Sequence, residues 1–340
     1  MAAVYTLENA INSFFEIETT ATRQQCDEFT LAHGGPPVTP VQIQGAFSYT
    51  VLVGVDKVFQ FRLPSSSIDL DLLDLATATH GTLVPACKPY GTVGGSRPLR
   101  IYEMNKLPGV PYILARDTTI PQPLDSIARQ RRTVTDMARV FAQAWNNPQH
   151  LPTDKTAALC SEFEAAFTPL AQSLPSRFKP VLDRVRPSLY SLFTEDSAIP
   201  LVLSHGDLCE MNLLVEAETG SLTGVIDWAE ARILPFGFSL YGVENLLGYM
   251  DDEGWHYYDN AQQLRELFWR VFLEGVEGSI SEATLQTIWT ARMAGLFYRY
   301  GFVFDGKEIL GVVGPESGSL RYLDAFCTPE GWVPVALSRS

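Results

Sequence analysis

The sequence predicts an α+β chain of two lobes: a small N-terminal lobe on an antiparallel sheet, and a larger, mainly helical C-terminal lobe with an embedded β-hairpin. Three observations lead there. Residues 41–104 are rich in β-branched and aromatic residues interrupted by Gly-containing turns. Beyond residue 110, apolar residues recur at i, i+3, i+4, i+7 spacing. Within that helical region two short apolar stretches, "LLVEAE" and "LTGVIDW", flank Thr219-Gly220, a hairpin signal. At 340 residues the chain is also longer than one hydrophobic core usually supports.

The elements follow in order. Leu7, Ile11, Phe14 and Phe15 have helical spacing and suggest one or two leading helices before residue 33. "HGGPPVTP" (33–40) breaks the pattern. "YTVLVGV" and "KVFQFRL" read as strands joined through Gly54–Asp56. "SIDLDLLDLATATHG" reads as a helix, and "LVPACKPYGTVGGSRPLRIYEM" as two strands around a Gly-rich turn. "NKLPGVPY" then interrupts. Residues 1–104 are assigned to the N-lobe, 105–109 to a linker and 110–340 to the helical lobe. In that lobe Val134, Met137, Ala138, Phe141 and Trp145 mark one helix. Leu264, Leu267, Phe268 and Val271 mark a second, and Leu285, Ile288, Trp289 and Leu296 a third.

Composition excludes several partners. A net charge of −14 repels nucleic acid and anionic membranes. No stretch approaches the ~18 apolar residues of a membrane helix. The first residues lack a basic start and carry acids, unlike a secretory signal. Five scattered cysteines without a C-x-x-C argue against a disulfide scaffold or a zinc site, and for the cytoplasm.

The chemistry concentrates at "SHGDLCEMNLLV" (204–215) and "VIDW" (225–228). The first precedes one strand of the predicted hairpin and the second ends the other, so Asp207, Asn212 and Asp227 converge at one edge. Two carboxylates and a carboxamide are hard oxygen ligands, which suit Mg²⁺; with one histidine near, they do not suit zinc. A carboxylate beside a metal can also accept a proton from an attacking hydroxyl. An aspartate, an asparagine five residues on and a second aspartate at a strand end repeat the phosphotransfer arrangement of base and metal ligands.

With H-G-D-x-x-x-x-N followed by I-D-W, the chain resembles the aminoglycoside phosphotransferase and choline kinase group of small-molecule kinases. The resemblance runs over roughly residues 40–300 and implies a protein-kinase-like fold, ATP and Mg²⁺ as cofactors, and a small-molecule hydroxyl as acceptor. It implies Asp207 as catalytic base and Asn212 and Asp227 as metal ligands, with His205 in a structural role. Gly45 and Ser48, in "QGAFSYTVLV", would lie over the phosphates, although neither a G-x-G-x-x-G nor a Walker sequence is present. Arg62 would be the phosphate-binding cation, with Asp71 preferred over Asp69 and Asp74 as its partner by helix phase; Lys57 is a rival set in a turn. Glu103 and Met104, with Tyr102, would contact adenine at the hinge.

The acceptor stays open. Pro235–Phe238 stand where relatives commonly carry polar residues. Glu230, Glu244, Asp251, Asp252 and Glu253 offer partners for an amine-bearing acceptor, and a natural product or antibiotic is a further candidate. Trp228, Phe236, Tyr241, Tyr249 and Trp255 offer an apolar or cation–π wall, or else the ordinary core of a helical lobe. The rival to a kinase is a nucleotide- or ligand-binding pseudoenzyme of the same fold. A protein kinase is disfavoured by the missing A-P-E element.

Overall fold

The computed structural model describes residues 5–17 and 19–327. The ends of the two lobe assignments, residues 1–4 and 328–340, and residue 18 of the N-terminal stretch lie outside the described residues. Two helices lead, α1 (Leu7–Ile17) and α2 (Arg23–Gly34). The second starts with a capping box: the Thr22 hydroxyl accepts from Gln25 N–H at 3.1 Å, and the Gln25 side chain accepts from Thr22 N–H at 2.9 Å.

A five-stranded antiparallel sheet follows, with order β1-β2-β3-β5-β4. Its strands are β1 (Val38–Pro40), β2 (Ser48–Val53), β3 (Lys57–Arg62), β4 (Cys87–Val93) and β5 (Leu99–Asn105), with α3 (Leu70–His80) inserted between β3 and β4. Alternation decides the faces. Tyr49, Val51, Val53, Phe59 and Phe61 are buried on the side covered by α1 and α2, where Phe29 meets Phe59 and Phe61 edge-on. The breaker cluster departs from expectation, since its last residues form β1. The strand expected from residue 41 begins only at Ser48. Residues 41–47 form a loop pinned by Gln44, whose side chain accepts from Thr50 N–H at 2.9 Å and donates to Thr50 O at 2.8 Å.

In the second lobe the chain runs through β6 (Val110–Pro111), α4 (Tyr112–Ala115), α5 (Leu124–Trp145), α6 (Thr153–Ser173), α7 (Lys179–Val185) and α8 (Leu189–Leu192). Strands β7 (Leu201–Ser204), β8 (Leu213–Val215), β9 (Leu222–Val225), β10 (Arg232–Pro235), β11 (Gly248–Met250) and β12 (Trp255–Tyr257) come next. Helices α9 (Ala261–Gly275) and α10 (Glu282–Gly301), strands β13 (Phe302–Asp305) and β14 (Glu308–Val312), and helix α11 (Ser319–Phe326) complete it. The periodic positions of α5, α9 and α10 form the core: Val134, Met137, Ala138, Leu264, Phe268, Ile288 and Leu296 are all inaccessible to solvent. Leu73 and Ala76 of α3 join this core rather than that of the small lobe.

The embedded hairpin forms as expected. β8 pairs with β9, Leu213 opposite Val225, and β6 adds a third strand. Gly220 closes its turn at φ 72°, and a Cβ there would sit 2.3 Å from Arg129 O, so only glycine is accommodated. Three further antiparallel pairs, β7–β10, β11–β12 and β13–β14, were not legible as strands. Each is five residues or shorter, too little for a period to show.

Candidate active site

Two strand pairs build the site. β7 pairs with β10, and β8 pairs with β9. The loop 205–212 runs from β7 to β8, and the loop 226–231 runs from β9 to β10. Connecting the same two pairs, the loops must lie side by side. His205 clamps them: its Nε2 donates to Ile226 O at 2.8 Å, while its Nδ1 accepts from Asp207 N–H at 3.3 Å. Those two bonds describe a neutral imidazole. Burial lowers its pKa, against the pull of the Asp207 charge. Both ring nitrogens of His205 are thus spent on holding the two loops. Gly206, at φ 82°, is required by contact as well as conformation, since a Cβ would lie 2.2 Å from Glu230 O.

The rest of the loop is held from several sides. Tyr241 donates to Gly206 O at 2.8 Å, Asn245 to Leu208 O at 3.1 Å and Ile113 N–H to Glu210 O at 3.1 Å. Glu210 also pairs with Arg116 at 3.3 Å, both side chains largely buried. Positions fixed this way need little reorganisation when a substrate binds.

Asp207 lies between two donors. Asn212 Nδ2 donates to Asp207 O at 2.8 Å and to Asp207 Oδ2 at 3.3 Å. On the other carboxylate oxygen, Oδ1, the donor is Nη2 of Arg299, from the last turn of α10. The Asn212 amide nitrogen is thereby spent on Asp207, which leaves its Oδ1 as a free acceptor. Asp227 ends β9 in the left-handed region, φ 64° and ψ 60°, the one non-glycine residue with positive φ among those described. Such a conformation in a non-glycine residue is a local cost that the surrounding structure must hold. Its carboxylate is about one-third exposed and accepts from Arg62 Nη1 at 2.9 Å.

Arg62 ends β3 and is almost fully buried. Ser66 orients it, accepting from Nε at 2.7 Å through its carbonyl and from Nη2 at 2.6 Å through its hydroxyl. The expected pair with Asp71 is not formed. Asp69 is spent as the N-cap of α3, accepting from Asp71 and Leu72 N–H, and Asp71 and Asp74 are exposed on that helix. The rival cation Lys57 pairs with Glu103 at 3.3 Å on the sheet surface.

The phosphate-side candidates gather at one end of the sheet. Ser48 stands opposite Arg62 in the β2–β3 register, and Leu63 N–H donates to Phe47 O at 3.0 Å. Gly45 meets no tight contact: its nearest atom to a built Cβ is Ser48 Oγ at 3.6 Å. Among the described residues nothing crowds a side chain at this position.

Glu103 and Met104 lie in β5, which pairs with β3 on one side and β4 on the other. A strand so placed spends its main-chain groups on the ladders. The main-chain groups of Glu103 and Met104, the residues expected at adenine, are thereby engaged in these two ladders. The Met104 side chain packs on the larger core, facing between the lobes. Glu103, whose burial would raise its pKa, is held below the usual carboxylate range by hydrogen bonds from Tyr90 and Lys57.

The residues offered for an acceptor separate. Trp228 is buried and donates to Val225 O at 2.8 Å, with its ring against His205 and His80. Phe236 is core. Glu244 is buried between Arg265 at 3.0 Å and Arg292 at 3.3 Å. Asp251 bonds His256 at 2.8 Å and caps its own turn, where Asp252 and Glu253 are exposed. Glu230 alone stays near Asp207; burial and then the Asp207 charge raise its pKa. Cys209 is no nucleophile, since burial pushes its thiol far up. Sequence reasoning missed Ser66 and Arg299 altogether.

The sequence model of the phosphotransferase enzyme family (APH) matches residues 54–253, more than half of the 340. The chain belongs to this family. No curated protein sequence matches it. Among solved structures, the GDP complex of wild-type aminoglycoside 2'-phosphotransferase-IIIa is similar at 15% identity and TM-score 0.52, over 82% of this chain and 89% of that one. Aminoglycoside-3'-phosphotransferase of type VIII is similar at 19% identity and TM-score 0.47, over 81% and 100%. Macrolide 2'-phosphotransferase MphH from Brachybacterium faecium is similar at 16% identity and TM-score 0.47, over 82% and 90%. At these identities the likeness of the first speaks for the fold: this is a two-lobed, kinase-like phosphotransferase architecture. No helix among the described residues is long and apolar enough to cross a membrane.

Proposed function

We propose that the protein transfers the γ-phosphoryl group of ATP to a hydroxyl of a small molecule, with Mg²⁺. The observation that carries this reading is the side-by-side setting of the two loops. It puts the Asp207 carboxylate next to Asn212, and Asp227 on the phosphate-side guanidinium of Arg62. Family membership supports phosphotransfer, and the GDP of the similar structure supports a nucleotide site; ATP as the donor is what the family resemblance implies.

The donor set fits a hard cation: a free carboxamide oxygen on Asn212 and the second carboxylate oxygen of Asp227. Among the described residues no three His, Cys, Asp or Glu side chains gather as a metal cage. Two protein ligands suit Mg²⁺, which keeps waters and substrate phosphate oxygens. When bound, the ion neutralises phosphate charge. The chain's own residues do the rest. Arg62 binds phosphate oxygens, Ser48 and Gly45 admit the phosphates at the sheet end, and Asp207 orients the acceptor hydroxyl and takes its proton. Most of the rate then comes from positioning. A cytoplasmic location belongs to the same reading, supported by five free thiols.

A second reading, nucleotide binding without transfer, draws on the guanidinium carried by each key carboxylate, Asp207 by Arg299 and Asp227 by Arg62. Titration with Mg·ATP separates the two when followed by ADP release and mass change across a panel of hydroxyl compounds. Transfer that disappears in Asp207→Asn supports the kinase. Saturable binding with no ADP release supports the second reading.

A further inference from the structure

Arg299 is the cation closest to the proposed base, and it approaches from one defined side. The two oxygens of the Asp207 carboxylate divide the site. Oδ2 faces Asn212, the metal side, and Oδ1 faces Arg299. An acceptor hydroxyl must reach Asp207 from the side away from the metal, so Arg299 stands where the acceptor enters. Its side chain is 30% exposed. Of its five N–H donors, the only hydrogen bond among the described residues goes to Asp207. Its other donors meet no acceptor among the described residues. The Tyr322 ring, stacked at 4.8 Å on Tyr300, the next residue in the chain, lines the same side, and the half-exposed Met211 lies on the loop between them and Asn212.

At this entrance one guanidinium stands among carboxylates. The protein carries −14 overall, yet most of the acids that the sequence offers for an amine are engaged with arginines or set at a hairpin tip. Glu244 is buried between arginines, and Asp251, Asp252 and Glu253 form the tip of the β11–β12 hairpin. Glu230 remains near Asp207, and Glu210, paired with Arg116, lies by Tyr322. A polycationic acceptor would therefore meet a guanidinium at the reacting carboxylate without a ring of acids to hold it. A guanidinium with spare coplanar donors instead matches the two oxygens of a carboxylate or a phosphate.

We infer that Arg299 selects the acceptor, and that the acceptor is a hydroxy compound bearing an anionic group, carboxylate or phosphate, close to the hydroxyl that is phosphorylated. This rests on the phosphotransfer reading above. Arg299 keeps one donor on Asp207 and gives the others to the anion, which brings the hydroxyl to the base.

The test uses acceptors matched in size and different in charge. One series is glycerate, glycerol 3-phosphate, glycerol and 3-aminopropane-1,2-diol; the other is gluconate, glucitol and glucamine. Each is assayed with the full chain and Mg·ATP, reading ADP release and phosphorylated product by mass. The expected result is a kcat/KM at least about tenfold higher for an anionic member than for its neutral and cationic counterparts, the scale of one charge-assisted contact. Glycerate against glycerol 3-phosphate tells carboxylate from phosphate. In Arg299→Gln that ratio should collapse towards one, and Arg299→Lys should keep part of it. The ratio is taken within each variant, so a general loss of activity divides out. A flat or reversed ranking in a wild-type protein that does transfer phosphate to any of these compounds overturns the acceptor assignment alone. Binding of Mg·ATP with neither hydrolysis nor transfer overturns the phosphotransfer reading and takes this inference with it.

Discussion

Replacing Arg62 by methionine separates a phosphate-binding role from a structural one. The side chain is 3% exposed and donates three hydrogen bonds, two to Ser66 and one to Asp227. Ser66 is buried, so losing its partner leaves a carbonyl and a hydroxyl unsatisfied, at about 1–3 kcal/mol. Asp227 is about one-third exposed, and water replaces much of what it loses, so that contact adds only ~0.5–1 kcal/mol. The folded state should weaken by about 1.5–4 kcal/mol in urea denaturation. Loss of a guanidinium–phosphate contact, worth ~1.5–3 kcal/mol, should separately raise the Kd for Mg·ATP by roughly 10–100-fold. Calorimetry at a temperature where the variant is folded reads this second effect directly. Arg62→Lys should recover part of the affinity, because one ammonium cannot reach both Ser66 and Asp227 while meeting phosphate. A variant that loses stability but binds Mg·ATP as tightly as the wild type would refute the phosphate role and leave Arg62 a tie between the lobes.

Other perturbations have clear directions. Gly206→Ala places a Cβ 2.2 Å from Glu230 O at φ 82°; it should cost ~2 kcal/mol or more in chemical denaturation and displace Asp207, abolishing transfer. Glu244→Gln leaves Arg292, which has no solvent exposure, and Arg265 without their shared carboxylate; about 3–5 kcal/mol of stability should go, with Mg·ATP affinity in the surviving folded protein unchanged. Burial lowers the pKa of His80 from its ordinary 6.5. The folded protein then binds this proton less readily than the unfolded chain, so its contribution to stability is complete above pH 6.5 and is lost as the pH falls below it. Tm recorded from pH 7.5 down to 5.5 should fall, and less steeply in His80→Gln.

The parts of this site that could be read in advance are those that local chain geometry brings together. Asp207, Asn212 and Asp227 stand at the two ends of one hairpin, and the hairpin is written in "LLVEAE", Thr219-Gly220 and "LTGVIDW". Helices α5, α9 and α10 were legible because a period of 3.6 has room to repeat. What stayed hidden depends on contacts between distant segments. Arg299 lies 92 positions from Asp207 and the Arg62–Asp227 bond spans 165, with no local pattern announcing either. Asp71 illustrates the opposite error: helix phase alone put it beside Arg62, but the N-cap at Asp69 sets where α3 begins and leaves Asp71 in water. β7 and β10 are four residues each, so the second strand pair, which makes the two loops adjacent, carries no readable period. The aromatic and acidic residues after Asp227 read equally as an acceptor wall or as ordinary core, because composition does not reveal facing; most of them are core, a buried ion pair or a hairpin tip.

The central claim is that Asp207 and Asp227 serve one phosphotransfer site in different roles. The direct measurement compares wild type, Asp207→Asn and Asp227→Asn for Mg·ATP binding by calorimetry and for ADP release in the same preparations. The account predicts that Asp207→Asn binds Mg·ATP within about threefold of wild type, a difference below ~1 kcal/mol, and turns over at no more than a hundredth of the rate. Asp227→Asn should instead bind Mg·ATP at least about tenfold more weakly. Full turnover in Asp207→Asn, or unchanged Mg·ATP affinity in Asp227→Asn, would contradict it.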